Sequence, residues 1–161
     1  MFILLILTKR MGKMDKNNFI SSVMKKYNLN MITLPSRIAF QKTFYLLKEL
    51  GESMEFNFIW HTFGPYCQEL ASLGFSITEE QKITSPEFKT EFSDKFENII
   101  GGKIGDSRFL ELLADIVFIK KQTSNISDLE LFSRIISHRS YLNNEKEFYL
   151  ALTKLKDVKL L

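Results

Sequence analysis

Residues 37–74 read RIAFQKTFYLLKELGESMEFNFIWHTFGPYCQELASLG, and this stretch decides the fold class. Its first part places Phe40, Phe44 and Leu47 on one apolar stripe, widened by Leu46 and Leu50. Arg37, Gln41 and Lys48 fall on a polar stripe, so the period is that of an amphipathic helix. Gly51 suits the left-handed stop position that side-chained residues avoid. Met54, Phe56, Phe58 and Trp60 then alternate with Glu55, Asn57, Ile59 and His61, which predicts a half-buried strand. Gly64-Pro65 predicts a turn, with Pro65 at the first position of a helix, where no N–H is lost. Tyr66, Leu70 and Leu73 share a face of that helix, and Gly74 ends it. The expectation is a mainly α chain with a small β element, a single winged-helix-like domain.

Other elements extend outward from this centre. Phe19, Val23 and Tyr27 recur at four-residue spacing and predict a helix over 15–27, with Lys25 and Lys26 on its outer side. Pro35 breaks the chain and Ser36 is placed to cap the helix that follows. Ser85-Pro86-Glu87 begins a segment with Phe88, Phe92, Phe96 and Ile99 at helical spacing. The three Phe also share one face of a strand, so helix and β-hairpin wing both remain open over 85–100. After Gly101-Gly102 and Gly105, Asp106 caps a strongly apolar helix through Lys121. Ser127 to Glu130 has the capping-box pattern for a helix to about His138. Asn144 with Glu147 opens the last helix, which carries Phe148, Leu152 and Leu155.

A chain of 161 residues is long enough for one domain with a full core. The domain is expected over 14–161, with 1–13 as an N-terminal tail. Met1–Leu7 (MFILLIL) is too short to span a bilayer, and Lys9 and Arg10 follow it rather than precede it as in a secretory signal. Three readings stand: a start placed upstream of Met11 or Met14, an edge strand, or a membrane-contacting anchor. One cysteine cannot form an internal disulfide, which points to a reducing compartment, the cytoplasm.

Charge is unevenly spread. Residues 1–51 carry nine Lys/Arg against two acids, whereas residues 52–100 carry three against nine. Such poles steer charged partners or self-association into a homodimer; solvated faces are the bland alternative. Signs of catalysis are sparse. His61 and His138 are the only histidines and neither sits in a nucleophile motif. His61 reads as a partly buried structural residue, and Cys67 as a small packing residue, although a thiol near a helix N-terminus can be acidified. Glu79-Glu80 reads as a solvated turn. No zinc-ligand spacing, Walker loop or dinucleotide fingerprint is present, so no cofactor or metal is expected.

The pattern RIAFQKTFYLLKELG, FNF and FGPYCQEL resembles the Panacea domain, the SocA-type antitoxin family, and the related uncharacterised YwgA-like proteins. Arg37, Gln41, Lys42, Tyr45 and Leu46 match the helix motif; Phe63, Gly64, Pro65, Tyr66, Glu69 and Leu70 match the turn motif. LLADIVFIKK and EFYLALTKLKDVKLL also look YwgA-like. Cys67 stands where a Ser is often seen, and Phe40 replaces a usual Leu. The resemblance implies a winged-helix-like fold and, through relatives proposed to neutralise toxins, action by protein contact.

The functional expectation is therefore a non-enzymatic protein-interaction module that masks or recruits a protein partner. Arg37, Lys42 and Lys48 are its candidate partner-binding residues. Gln41, Gly64, Pro65 and Tyr66 are expected to be structural, with Gln41 bonded to backbone around Phe63 to Tyr66. The alternative is a DNA-binding regulator using the basic front, Lys25 and Lys26 above all, on phosphates. Base readout by the helix after Gly64 is disfavoured, because it offers only Gln68 beside Glu69.

Overall fold

The computed structural model describes residues 14–161. The expected tail and the three readings of Met1–Leu7 lie outside the described residues. Eight α-helices, one 3-10 turn and one two-stranded antiparallel sheet make up the described chain. This is the mainly α class with a small β element that the sequence predicts. In order they are α1 (Met14–Lys26), α2 (Leu34–Leu50), β1 (Ile59–His61), β2 (Gly64–Tyr66), α3 (Gln68–Ser76), α4 (Glu79–Thr84), α5 (Glu91–Ile100), α6 (Ser107–Gln122), α7 (Asp128–His138), the 3-10 turn Ser140–Leu142 and α8 (Glu145–Asp157).

The pair α2 and α6 forms the centre. Phe40, Phe44, Leu46 and Leu47 of α2 are fully buried, as are Phe109, Leu110, Leu113 and Ile116 of α6. α8 packs on α6, and α5 packs on α2. α6 is enclosed on nearly every side, so its polar residues Glu111 and Asp115 are buried as well. That fact dominates the site described below.

Caps set the helix ends. Asp106, Ser127 and Asn144 each accept a hydrogen bond from the backbone N–H three residues on, as expected. Gly51 ends α2 with φ of +123°. The start of α2 differs from expectation. Thr33, not Ser36, is the cap, and its side chain accepts from the Ser36 N–H. Pro35 sits inside the first turn, where its missing N–H costs nothing. The segment over 85–100 is helical only from Glu91, because Thr90 and Ser93 cap each other's backbone. Phe88 remains buried ahead of that helix, edge-on to Phe19 at 5.6 Å. Glu79-Glu80 opens the short exposed helix α4 behind a Thr78–Gln81 capping box, rather than forming a turn.

Two further expectations are corrected around the decisive stretch. Only Ile59–His61 of the alternating aromatic segment is a strand. Residues 52–58 make no ladder, although burial still alternates, with Phe56 inside and Glu55 and Asn57 outside. Gly64-Pro65-Tyr66 is itself the second strand, paired as Ile59 with Tyr66, Trp60 with Pro65 and His61 with Gly64. The turn is Thr62-Phe63. The helix begins three residues later than Pro65, at Gln68, and runs past Gly74 to Ser76. Pro65 can occupy this strand because a two-stranded sheet leaves one side without ladder bonds.

The charge poles are also partly closed inside the molecule. Lys16 pairs with Glu69 at 3.1 Å and Lys26 with Glu97 at 3.2 Å. The basic front and acidic middle thus face each other within one chain.

Candidate functional site

The hairpin β1–β2 folds back onto α2 and α6, and Gln41, Lys42 and Gly64-Pro65-Tyr66 meet there. Gln41 is buried one turn after Arg37. Its amide Nε2 donates to the Cys67 carbonyl at 3.0 Å, and its Oε1 accepts from the Cys67 N–H at 2.9 Å. Gln41 thus clasps the strand-to-helix junction, one residue beyond the expected Phe63–Tyr66 window. Cys67 is the cap residue of α3 with no side-chain capping bond, and the clasp pairs the N–H and carbonyl of Cys67 itself. Cys67 is a buried packing residue.

Lys42 does not lie exposed for a partner, as expected of it. It is only 1 % exposed, and its Nζ donates to the Pro65 carbonyl at 2.6 Å. The side chain follows α2's periodicity inward because the hairpin covers that face. Lys48 is also engaged: its Nζ donates to the Phe56 carbonyl, pinning the unpaired segment to α2. Arg37 is half-buried, and its Nη1 donates to the carbonyls of Met31 and Ile32 at 3.3 and 3.2 Å. Lys25 and Lys26 lie on the outer face of α1, as expected, yet neither ammonium is idle. Lys25 donates to the carbonyls of Ile83 and Ser85, both at 3.1 Å, and Lys26 holds Glu97. His61 is exposed rather than partly buried, and its ring lies 5.0 Å from that of Tyr66 across the hairpin.

Behind the hairpin lies a buried ionic group that the motif reading missed. Arg139, between α7 and the 3-10 turn, is 2 % exposed. Its Nη2 donates to the carbonyls of His61 and Thr62 at 3.0 and 3.1 Å. Its Nε lies 2.8 Å from Glu111 Oε1, and its Nη1 3.3 Å from Asp115 Oδ2. These two contacts lack hydrogen-bond alignment, so they act as close ion pairs. The guanidinium also lies 4.4 Å from the Trp60 ring centre, a cation–π contact. Tyr141 donates to Glu111 at 2.6 Å. The available signal was Glu111 and Asp115, four residues apart in the apolar middle of a helix, since buried acids demand buried cations.

Asp115 is the least satisfied member. It is fully buried, and neither oxygen accepts a hydrogen bond among the described residues. Gly64 packs directly on it with φ of +84°, and a Cβ at that position would lie 2.1 Å from Asp115 Oδ1. Burial pushes the Asp115 carboxyl up to about 7, against the opposing pull of Arg139 and with Glu111 adding to the rise. Burial likewise pulls the Lys42 ammonium down to about 8, opposed by Asp115 and Glu111. Glu111 is raised by burial, with its Tyr141 hydrogen bond opposing.

These shifts give stability a pH dependence. Between the ordinary carboxyl value of 3.8 and about 7, native Asp115 keeps a proton that the unfolded chain has lost, so stability falls as pH rises. Between about 8 and the ordinary 10.5, native Lys42 has lost a proton that the unfolded chain keeps, so stability rises with pH. The urea midpoint is expected to pass through a minimum near pH 7 to 8. Asp115→Asn should remove the acid-side limb. A midpoint that climbs steadily from pH 5 to 7 in the native sequence would contradict this assignment.

On the outer side of the hairpin a cleft of about 440 Å³ opens between α2, β2 and α3. Gln41 and Lys42 lie at its base, His61 and Tyr66 on the hairpin wall, and Ile38 and Phe75 on the helix walls. Two of its apolar lining side chains stand exposed: Phe75 at 61 % and Leu34 at 46 %. Among the described residues no group of His, Cys, Asp and Glu has metal-site geometry, and no helix is long and apolar enough to cross a membrane. No model of a known protein family, no curated sequence and no solved structure matches the chain.

Proposed function

We propose that this chain is a non-enzymatic protein-interaction module, of the antitoxin-like or regulator kind suggested by its resemblance to Panacea and YwgA-like proteins. It masks or recruits a protein partner held in the cleft between α2, the hairpin and α3. The observation that carries this reading is the exposure of Leu34 and Phe75 together in the lining of a concave, mainly apolar site. Grouped apolar exposure at a cleft is a mark of partner contact, whereas scattered exposure is ordinary. The motif's polar groups fit a supporting role: Gln41 and Lys42 hold the hairpin in place and so shape the cleft. Of the candidate partner-binding residues, Arg37 is the one at the cleft that keeps donors to offer. The lone cysteine fits a reducing setting such as the cytoplasm.

The test is capture from the native host with the full chain and with Phe75→Glu, a change at an exposed position. One protein should be retained by the native chain and lost by Phe75→Glu at unchanged melting temperature. A chain that returns alone, or equal capture by both forms, would overturn the proposal. DNA binding at low salt that Lys25→Glu with Lys26→Glu weakens would favour the regulator alternative instead.

A further inference from the structure

We infer that the cleft selects, on its protein partner, a short aliphatic segment that carries a carboxylate: an Asp or Glu flanked by Leu-, Ile- or Val-type side chains. This rests on the reading of the cleft as a docking site. Three observations fix the chemistry. First, the residues lining the cleft include Arg37, Lys42 and His61 but no acid. Second, the charge that remains for a ligand is Arg37's. Arg139 is paired with Glu111 and Asp115, and Lys42 is only 1 % exposed with its Nζ donating to the Pro65 carbonyl, so both cations are engaged behind the hairpin. Arg37 has no ion pair among the described residues, and only its Nη1 is engaged there. Those two carbonyl bonds hold the guanidinium at the wall, leaving Nη2 and Nε as a fork of the kind that grips a carboxylate with two parallel bonds.

Third, the walls are mainly apolar. Met31, Leu34, Ile38, Phe63, Ala71 and Phe75 offer aliphatic and aromatic surface to either side of Arg37. The volume of about 440 Å³ suits a few side chains rather than a folded surface. A nucleic-acid backbone would call for several cations in a row. Here one guanidinium sits within apolar walls, which matches a single carboxylate between aliphatic neighbours.

The experiment measures anisotropy of fluorescein-labelled, end-capped octapeptides of Leu and Ser with one central Asp, against twins bearing Asn or phosphoserine. The Asp peptide is expected to bind the full chain about tenfold more tightly than the Asn peptide. Arg37→Gln should shrink that gap to under about twofold while leaving the Asn peptide's affinity unchanged, and Arg37→Lys should keep part of it. Melting curves of both variants establish that the fold is retained; should Arg37→Gln not fold, Arg37→Lys carries the comparison. Equal binding of the Asp and Asn peptides, tighter binding of phosphoserine, or no binding of any probe would overturn the inference. If Phe75→Glu still abolishes partner capture while the peptides bind equally, the docking reading stands and only the carboxylate preference falls. If Phe75→Glu leaves capture intact, the docking reading itself fails.

Discussion

Gly64→Ala is expected to be the most damaging single substitution in the chain. Two independent costs fall on one methyl group. The backbone there has φ of +84°, a conformation that costs a side-chained residue about 1–3 kcal/mol. The new Cβ would also lie 2.1 Å from Asp115 Oδ1, which is fully buried. Overpacking a core costs about 1–3 kcal/mol more. Together these come to about 2–6 kcal/mol, a large share of the about 5–15 kcal/mol that holds an ordinary domain folded. Chemical denaturation should show a midpoint lowered in proportion to that loss, at an unchanged slope. A double variant, Gly64→Ala with Asp115→Ala, should recover part of the loss, because the steric term disappears while the φ strain remains. Full stability in Gly64→Ala alone would mean that the hairpin does not sit on α6 as described.

Arg139→Met should come second, at about 3–5 kcal/mol, the usual cost of removing one partner from a buried ionic group. The arginine neutralises Glu111 and Asp115 and also takes up the carbonyls of His61 and Thr62 at the hairpin turn. Its loss leaves two buried acids with Lys42 as the cation beside them. The remedy tests the mechanism: adding Glu111→Gln and Asp115→Asn to Arg139→Met should restore stability beyond the single variant. A bare packing role for Arg139 predicts no such rescue, since methionine keeps most of the side-chain volume. Hydrogen exchange at Trp60 and His61 gives a local readout, because the hairpin should open before the rest of the domain unfolds.

The extent to which the sequence disclosed this protein depends on the range of the forces involved. Helices were legible because their signals are local. Period 3.6 in α2, the caps Asp106, Ser127 and Asn144, and the Gly51 stop all act within a few residues. The errors at Ser36 and Pro86 share one cause, whereas Pro65 was drawn into a strand by pairing with Trp60. Each of those two positions permits a helix start, and the side-chain cap of a neighbouring threonine decided which start was used. The alternating aromatic run from Met54 set which side chains turn inward, but strand pairing needs a partner, and the partner proved to be Gly64-Pro65-Tyr66 alone.

What the sequence by itself determined, then, is a mainly helical domain whose motif around Gln41 and Gly64 serves its own architecture, with the clasp at Cys67 found one residue from where it was expected. Only the tertiary structure decided which charges are spent. Lys42 and Lys48 carry the same charge as Arg37 on the same helix, yet the hairpin and the segment before it cover them and consume their donors, while Arg37 stays at the cleft. Lys25 and Lys26 look free on α1 until α4 and α5 fold against them. The group of Glu111, Asp115 and Arg139 joins residues from separate helices to a hairpin about eighty positions away from the arginine. Local pattern reports which face of an element is apolar; it carries no information on which distant segment will cover a charge. Burial alone converts an ordinary lysine or aspartate into a structural one, and burial is a property of the assembled chain.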